Sequence, residues 1–340
     1  MTPSRDIEDD QRFHRPKRRT RPRTKERPSH DDAVDGFVTA IDRGRYTLRI
    51  DGAHVPPNGD GGGARTVTAM TARALGRKAV VVGDRVRVVG DVTGDEGSLA
   101  RIVEVTERAT ALRRTADDDD PVERVIVANA DQIVVVIATA NPEPRPRLID
   151  RALVAAYTEG LDPLLCLTKA DVADPTPLLA AYRPLGVASV VTSRGGDLGP
   201  LRELLRDRVS VLIGHSGVGK STLVNALVPG AARTTGDVNV VTGRGRHTST
   251  SAVVLELPFG GWVVDTPGIR SFGLAHVNAQ QLISAFEDLD ALTVDCPRGC
   301  THASTEPECA LDDALREHRV DPVRVASFRR LLESRDASER

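Results

Sequence analysis

Residues 210–228 read SVLIGHSGVGKSTLVNALV: a short apolar run ending at Ile213, then Gly214-His215-Ser216-Gly217-Val218-Gly219-Lys220-Ser221-Thr222, then a helical stretch from Leu223 to Val228. Strand, glycine-rich loop and helix in direct succession form a phosphate-binding P-loop. The glycines let backbone N–H groups wrap phosphates, and the helix N-terminus adds positive potential. The Lys220 ammonium reaches the β- and γ-phosphates, and the Ser221 hydroxyl ligates Mg²⁺. The chain holds 41 arginines and only five lysines, so a position that keeps lysine has a chemical reason to do so. Here a compact ammonium suits a loop in which a guanidinium would not fit in the same way.

Upstream of this loop, near-continuous apolar strands alternate with helical stretches: VIVANADQIVVVIATA, RLIDRALVAAYTEG, DPLLCLTKAD, DPTPLLAAYRPLG, ASVVTSRGG and LGPLRELLRDR. Repeated β-then-α units with such strands predict a parallel sheet covered on both faces, ending near Trp262-Val263-Val264-Asp265. Thr168-Lys169-Ala170-Asp171 follows the strand LLCL. The Asp171 carboxylate can accept two hydrogen bonds from the N1–H and 2-amino groups of guanine, a donor pair adenine lacks, and the Lys169 stem would lie along the base. Thr168 stands where Asn is more common, which predicts softer anchoring of the loop. Ser193, within Thr192-Ser193-Arg194-Gly195-Gly196, fits a third base-contacting loop. Downstream, Asp265-Thr266-Pro267-Gly268 places a carboxylate for Mg²⁺ at a strand end and the Gly268 N–H where a γ-phosphate would be sensed. The polar run Gly243–Thr250 between them has the character of a switch loop, with Thr248 or Thr250 as its Mg²⁺ hydroxyl.

The order of these elements carries its own information. In ordinary GTPases the P-loop precedes the guanine tetrad; here residues 168–171 and 193–196 precede 214–221, 243–250 and 265–268, so the α/β domain is circularly permuted. The segment after Asp265 then runs straight into the C-terminal unit, and nucleotide state can reach that unit through the covalent chain.

Outside the nucleotide motifs the composition changes. Between Asp35 and Arg114, short runs rich in Val, Ile and Thr recur every 8–12 residues between Gly- and Asp-containing turns. They predict a five-stranded β-barrel, OB-type or SH3-like. Asp117 to Asp120 before Pro121 reads as a charged hinge, and Pro56–Gly63 as a loose loop. Residues 1–30 hold 10 basic and 5 acidic side chains, leaving 36 and 43 in the remainder, so a net charge of -2 combines a +5 arm with a -7 body. The arm, with nine basic residues between Arg12 and Arg27, is expected to be solvated and to neutralise nucleic-acid phosphates. No apolar run approaches the roughly 18 residues of a membrane span, and no signal-peptide core opens the chain, which points to a cytoplasmic protein.

Three of the four cysteines cluster with a histidine as Cys296, Cys300, His302 and Cys309. Three thiolates and an imidazole make a closed tetrahedral zinc set, and the metal supplies folding energy to a short segment. Cys166, inside LLCL, reads instead as a small buried hydrophobe.

A barrel, a permuted GTPase domain and a Cys-Cys-His-Cys unit in that order resemble the ribosome small-subunit-dependent GTPase family RsgA, also called YjeQ, across residues 35–335. The motifs that carry the resemblance are Thr168–Asp171, Gly214–Ser221, Asp265–Gly268 and the four zinc ligands. The spacing of those ligands departs slightly from the family pattern, and the basic arm is longer than the core requires. The resemblance implies slow GTP hydrolysis to GDP and phosphate, stimulated by the small ribosomal subunit and acting in its late maturation, with the barrel and zinc unit contacting rRNA. The architecture expected is multidomain: a disordered arm over 1–34, an OB-type barrel over 35–114, a permuted α/β P-loop GTPase domain over 122–284, and a zinc-binding and helical domain over 285–340. Zn²⁺ and Mg²⁺ with GTP are the cofactors; the small subunit, its rRNA and GTP or GDP are the partners of a monomer with no membrane contact. Ile269 follows the DTPG motif where many GTPases carry glutamine, and an aliphatic chain cannot orient water. The intrinsic rate should be slow, with His247 of the switch loop as the group ordered on the ribosome. Two other readings are a GTP-gated RNA-binding assembly scaffold, in which hydrolysis only resets affinity, and a P-loop metabolic kinase, which would have no guanine tetrad.

Overall fold

A computed structural model of the chain describes residues 30–51, 63–75, 80–115, 123–230, 252–266, 274 and 277–336. The basic arm as far as Ser29, most of the loop at Pro56–Gly63 and the charged run Asp117–Pro121 lie outside the described residues.

Five strands build the barrel: β1 (Val34–Asp42), β2 (Arg45–Ile50), β3 (Arg65–Thr71), β4 (Arg85–Gly90) and β5 (Ala100–Val105). Their order is β1-β2-β3-β5-β4, and β4 pairs back onto β1 to close the ring. The β3–β5 pairing is parallel and the others are antiparallel, which is the OB arrangement and settles the choice against an SH3-like barrel. Alternate residues Val38, Tyr46, Leu48, Ile50, Val67, Val86, Val88 and Ile102 fill the interior, as the two-residue side-chain period of strands requires. The run Ala79–Val92 is not one strand: Gly83 has φ +84°, and buried Asp84 accepts a hydrogen bond from Val81 N at 2.7 Å and a two-point contact from Arg108.

A hairpin of β6 (Ala111–Thr115) and β7 (Glu123–Ala128) follows as a separate two-stranded sheet. The sequence reading merged β7 with β8 (Gln132–Ala138). Asn129, at φ +53°, breaks the run between them and ties the turn by donating from its side chain to Gly83 O.

The α/β sheet runs β10 (Ala188–Val191), β9 (Asp162–Thr168), β8, β11 (Val209–Ile213), β13 (Trp262–Asp265), β12 (Val253–Glu256). All neighbours are parallel except β12–β13. Each face of β8 feeds a different core. Ile133, Val135 and Ile137 pack with Ile149, Leu153 and Ala156 of α1 (Pro146–Thr158), while Val134, Val136 and Ala138 pack with Leu201 and Leu205 of α3 (Gly199–Leu205) and Leu223 and Val224 of α4 (Lys220–Leu227). Burial on both faces explains an uninterrupted apolar strand. The short helix α2 (Thr176–Tyr182) links β9 to β10.

Strand β12 pairs in turn with barrel strand β1 at Ala40↔Val253, so barrel and α/β domain share one continuous sheet. Phe37 meets Trp262 with ring centroids 5.4 Å apart, and Arg49 pairs with Glu256 at 3.1 Å. The C-terminal helices are α5 (Ala279–Ile283), α6 (Glu287–Asp290), α7 (Ala310–Arg316) and α8 (Pro322–Asp336). Asn278 and Gln281 cap α5 reciprocally. Leu282, Phe286, Leu311, Phe328 and Leu331 enter the same core as Ile149 and Leu153 of α1, so this segment does not rely on a core of its own. Among the described residues no helix is long and apolar enough to cross a membrane.

Candidate functional site

Because β10, β9, β8, β11 and β13 are parallel, their carboxyl ends lie along one edge of the sheet, where open α/β folds bind ligands. In spatial order that edge carries Thr192–Gly196, Thr168–Asp171, Thr139–Pro142, Gly214–Ser221 and Asp265. Elements that are far apart and inverted in sequence are thus neighbours in space.

The P-loop passes from β11 into α4 through two left-handed glycines, Gly217 at φ +86° and Gly219 at φ +95°. Gly214 is required for a different reason: a Cβ there would lie 2.6 Å from Val136 O. His215 and Ser216 sit at the loop's outer turn, with His215 Nδ1 3.0 Å from Ser216 O. Val218 is buried beneath the loop and anchors it in the second core. Ser221 and Thr222 are exposed in the first turn of α4. The register Leu212↔Asp265 between β11 and β13 brings the Asp265 carboxylate to the base of this loop, where it forms an ion pair with Lys220. A hydroxyl at Ser221 and a carboxylate at Asp265 beside a cradle of main-chain N–H groups suit a hydrated Mg²⁺ held with phosphates. Thr266, buried, donates to Leu212 O at 2.8 Å and ties the end of β13 to β11.

Thr168 is buried at the end of β9, and its hydroxyl lies 2.6 Å from Val218 O of the P-loop. The softer anchoring expected from threonine is therefore not what the structure shows: the short side chain reaches because β9 and the loop are close, with Gly219 leaving room beside it. Thr168→Val keeps the shape but strips the buried carbonyl of this donor. It is expected to lower unfolding stability by about 1–3 kcal/mol; a urea midpoint that does not move would show the contact to be idle.

Lys169 adopts φ +59° and its ammonium donates to Asn141 O. Thr139 Oγ1 donates to Lys169 O at 2.6 Å, and Pro142 faces Gly217. The loop after β8 thus braces both the tetrad and the P-loop, a role the sequence reading did not find. Asp171 is exposed, free to meet a ligand edge-on. Thr192 O accepts from Ala170 N at 3.2 Å, which brings the Ser193 loop alongside the tetrad. Gly268, His247, Thr248 and Thr250 lie outside the described residues, as does Ile269.

The second site is in the C-terminal segment. One ligand atom each from Cys296, Cys300, His302 and Cys309 lies within 4.8 Å of all the others. The three sulfurs stand 3.7, 3.5 and 3.8 Å from His302 Nδ1. A tetrahedral zinc with ordinary Zn–S and Zn–N bonds requires S···N edges of about 3.6 Å, so the donor set fits the ion. All four cysteines are free thiols. Burial holds the three clustered thiols above the ordinary cysteine range and the imidazole below the ordinary histidine range. Both directions favour the neutral forms, and a cation held among the four groups would let the thiols ionise as ligands. Backbone N–H groups of His302 and Ala310 point at the sulfurs of Cys300 and Cys296. Cys166 lies apart in the core of β9, where burial pushes its thiol up to about 12.

Comparison with known proteins places the chain in a family. The family model described as RsgA GTPase matches residues 105–275. The small ribosomal subunit biogenesis GTPase RsgA of Pseudomonas aeruginosa (strain LESB58) is 41% identical over 265 residues, 75% of this chain and 76% of that protein. Its namesake from Chlorobaculum parvum is 38% identical over 319 residues, 90% of this chain and 99% of that one. The crystal structure of YjeQ from Thermotoga maritima is similar with a TM-score of 0.61 at 26% identity, covering 88% of this chain and 98% of that one. YloQ, described as a circularly permuted GTPase, shares the fold with a TM-score of 0.61 at 23% identity, over 93% and 100% of the two chains.

Proposed function

The chain belongs to the RsgA GTPase family, and on that basis we propose that it hydrolyses GTP to GDP and phosphate in the cytoplasm, acting as a monomer in late maturation of the small ribosomal subunit, which stimulates it and which it meets through rRNA contacts. The observation that carries this reading is the single sheet edge on which the tetrad loop, the P-loop and Asp265 meet although the chain presents them in permuted order.

In this proposal Asp171 reads the guanine edge, Lys169 lies along the base, Ser193 closes the far side, and Thr168 holds the tetrad to the P-loop. The N–H groups from Gly214 to Thr222 receive the phosphates. Lys220 and Asp265, paired with one another in the structure, part when nucleotide enters. Lys220 then turns to the β- and γ-phosphates, and Asp265 with Ser221 and a hydroxyl from Thr248 or Thr250 holds Mg²⁺. Bound there, the ion would neutralise charge on the phosphates. The Gly268 N–H senses the γ-phosphate, and Ile269 leaves the attacking water to be positioned by another group, for which we assign His247. The barrel, the zinc segment and the basic arm contribute the contacts to rRNA; at -7 the rest of the chain must do so through local patches.

Hydrolysis of GTP and of ATP, each measured with and without purified small subunits, tests the reading. Stimulation confined to GTP is expected. Nucleotide-dependent binding without stimulation would favour a scaffold, and ATP turnover would discard both. His247→Ala is expected to reduce subunit-stimulated turnover by about 10²-fold or more, the usual scale for a group that positions or deprotonates a nucleophile, with little change in GTP affinity. Stimulated turnover equal to that of the parent protein would withdraw the assignment.

A further inference from the structure

Metal-ligating histidines ordinarily donate their second ring nitrogen to a carboxylate, carbonyl or water that fixes the ring. In this cluster His302 Nε2 is buried with no partner among the described residues. His302 also sits in the left-handed region at φ +59°, which few residues other than glycine adopt. Something other than the ring must hold it there.

A side chain from 27 residues downstream reaches its main-chain carbonyl. Arg329 of α8 donates from Nε to His302 O at 3.1 Å. The other edge of the same guanidinium makes a two-point contact with Asp312, at 2.9 and 3.0 Å, in the first turn of α7. Cys309 is the N-cap of α7. One planar fork therefore spans the two segments that supply the ligands: the loop Cys296–His302 on one side and the helix headed by Cys309 on the other. The side chain is largely buried, 13% exposed, so its position is set by packing as well as by hydrogen bonds. Arg324 and Arg330 lie on the same helix but serve different contacts. Arg324 pairs with Asp288 and lies over the Phe286 ring, while Arg330 pairs with Asp150 and lies over Tyr182.

We propose that Arg329 is the positioning residue of the Cys₃His zinc site, clamping the His302 main chain and the Cys309 helix into ligand geometry. This rests on the cluster being a zinc site, which the same experiment tests separately. A lysine in its place holds its donors on one nitrogen and cannot reproduce the separated edges of the planar fork.

The test is the zinc dissociation constant of the full chain, measured by competition with a chromophoric chelator. Arg329→Met is expected to weaken zinc binding about 10- to 100-fold, the range for lost outer-layer partners, and Arg329→Lys to recover only part of that. Arg324→Met, which loosens the same helix away from the ligands, is expected to stay within about threefold of the parent protein. Arg329→Met binding zinc as tightly as the parent overturns the proposal, and so does Arg324→Met weakening zinc equally, since general undocking of α8 would then explain both. If Arg329→Met does not fold, Asp312→Asn keeps the question open to measurement: a weakening of at least about threefold supports the clamp, and unchanged affinity overturns it. A parent protein that binds no zinc would sink the zinc reading itself.

Discussion

Lys220→Ala is expected to lower GTP turnover by about 10³-fold or more, with and without small subunits. Removing one preorganised donor from a site where charge develops costs roughly 10²–10³ in rate, and phosphoryl transfer relies almost wholly on such stabilisation. Here the donor is a full cation placed at the base of the P-loop, with its side chain 13% exposed, so water screens it poorly. The substitution also strands Asp265, which would keep its charge without its partner. Lys220→Arg should fare little better, because a loop turned by Gly217 and Gly219 around a compact ammonium has no space for a planar fork. Single-turnover hydrolysis with saturating GTP is the measurement; more than a tenth of the parent rate in Lys220→Ala would contradict the assigned chemistry.

Cys309→Ala is expected to abolish stoichiometric zinc and to unfold the C-terminal segment. Structural zinc contributes about 10–16 kcal/mol to small finger peptides at neutral pH, as much as the whole stability of a typical domain. Even a third of that exceeds most single core substitutions. Cys309 is buried among Leu311, Phe328 and α1, so the damage should spread into the helices over the α/β sheet and not stay at the loop. Metal analysis should find one zinc per parent chain and none in the variant, together with a clearly lowered thermal midpoint. Cys166→Ala, in the core of β9, makes the comparison: it should keep its zinc and lose only what a small buried cavity costs.

Much of this site could be read from residues alone, because phosphate and metal chemistry impose strict local patterns. Gly214–Ser221 between a strand and a helix, and three thiols with an imidazole in fourteen residues, leave few other uses. What escaped the reading depends on distance in space. The bracing loop Thr139–Pro142 has no motif; its importance comes from lying between two loops that have one. Threonine at 168 looked short only because the approach of β9 to the P-loop is a tertiary fact. OB and SH3-like barrels have the same alternation in each strand, and it is the parallel β3–β5 pairing, a non-local contact, that separates them. Strand β12, four residues after a long polar run, is too short to be seen by periodicity. The His302 backbone conformation and its clamp were invisible for the same reason: Arg329 is one of 41 arginines, with nothing local to mark it.

The seam at Ala40↔Val253 bears on which strand edges the sheet leaves open. A sheet that ends on an open strand offers unpaired N–H and C=O groups to any neighbouring molecule. Here β12 meets barrel strand β1, and the barrel is closed by β1 and β4, so the barrel covers the border that β12 would otherwise present. Among the described residues the other end of this sheet is β10, only four residues long. A chain whose barrel docks late during synthesis would expose β12 for that interval. Substitutions that loosen Phe37 against Trp262 would therefore first appear as aggregation of nascent protein, before any loss of GTP turnover in the molecules that fold.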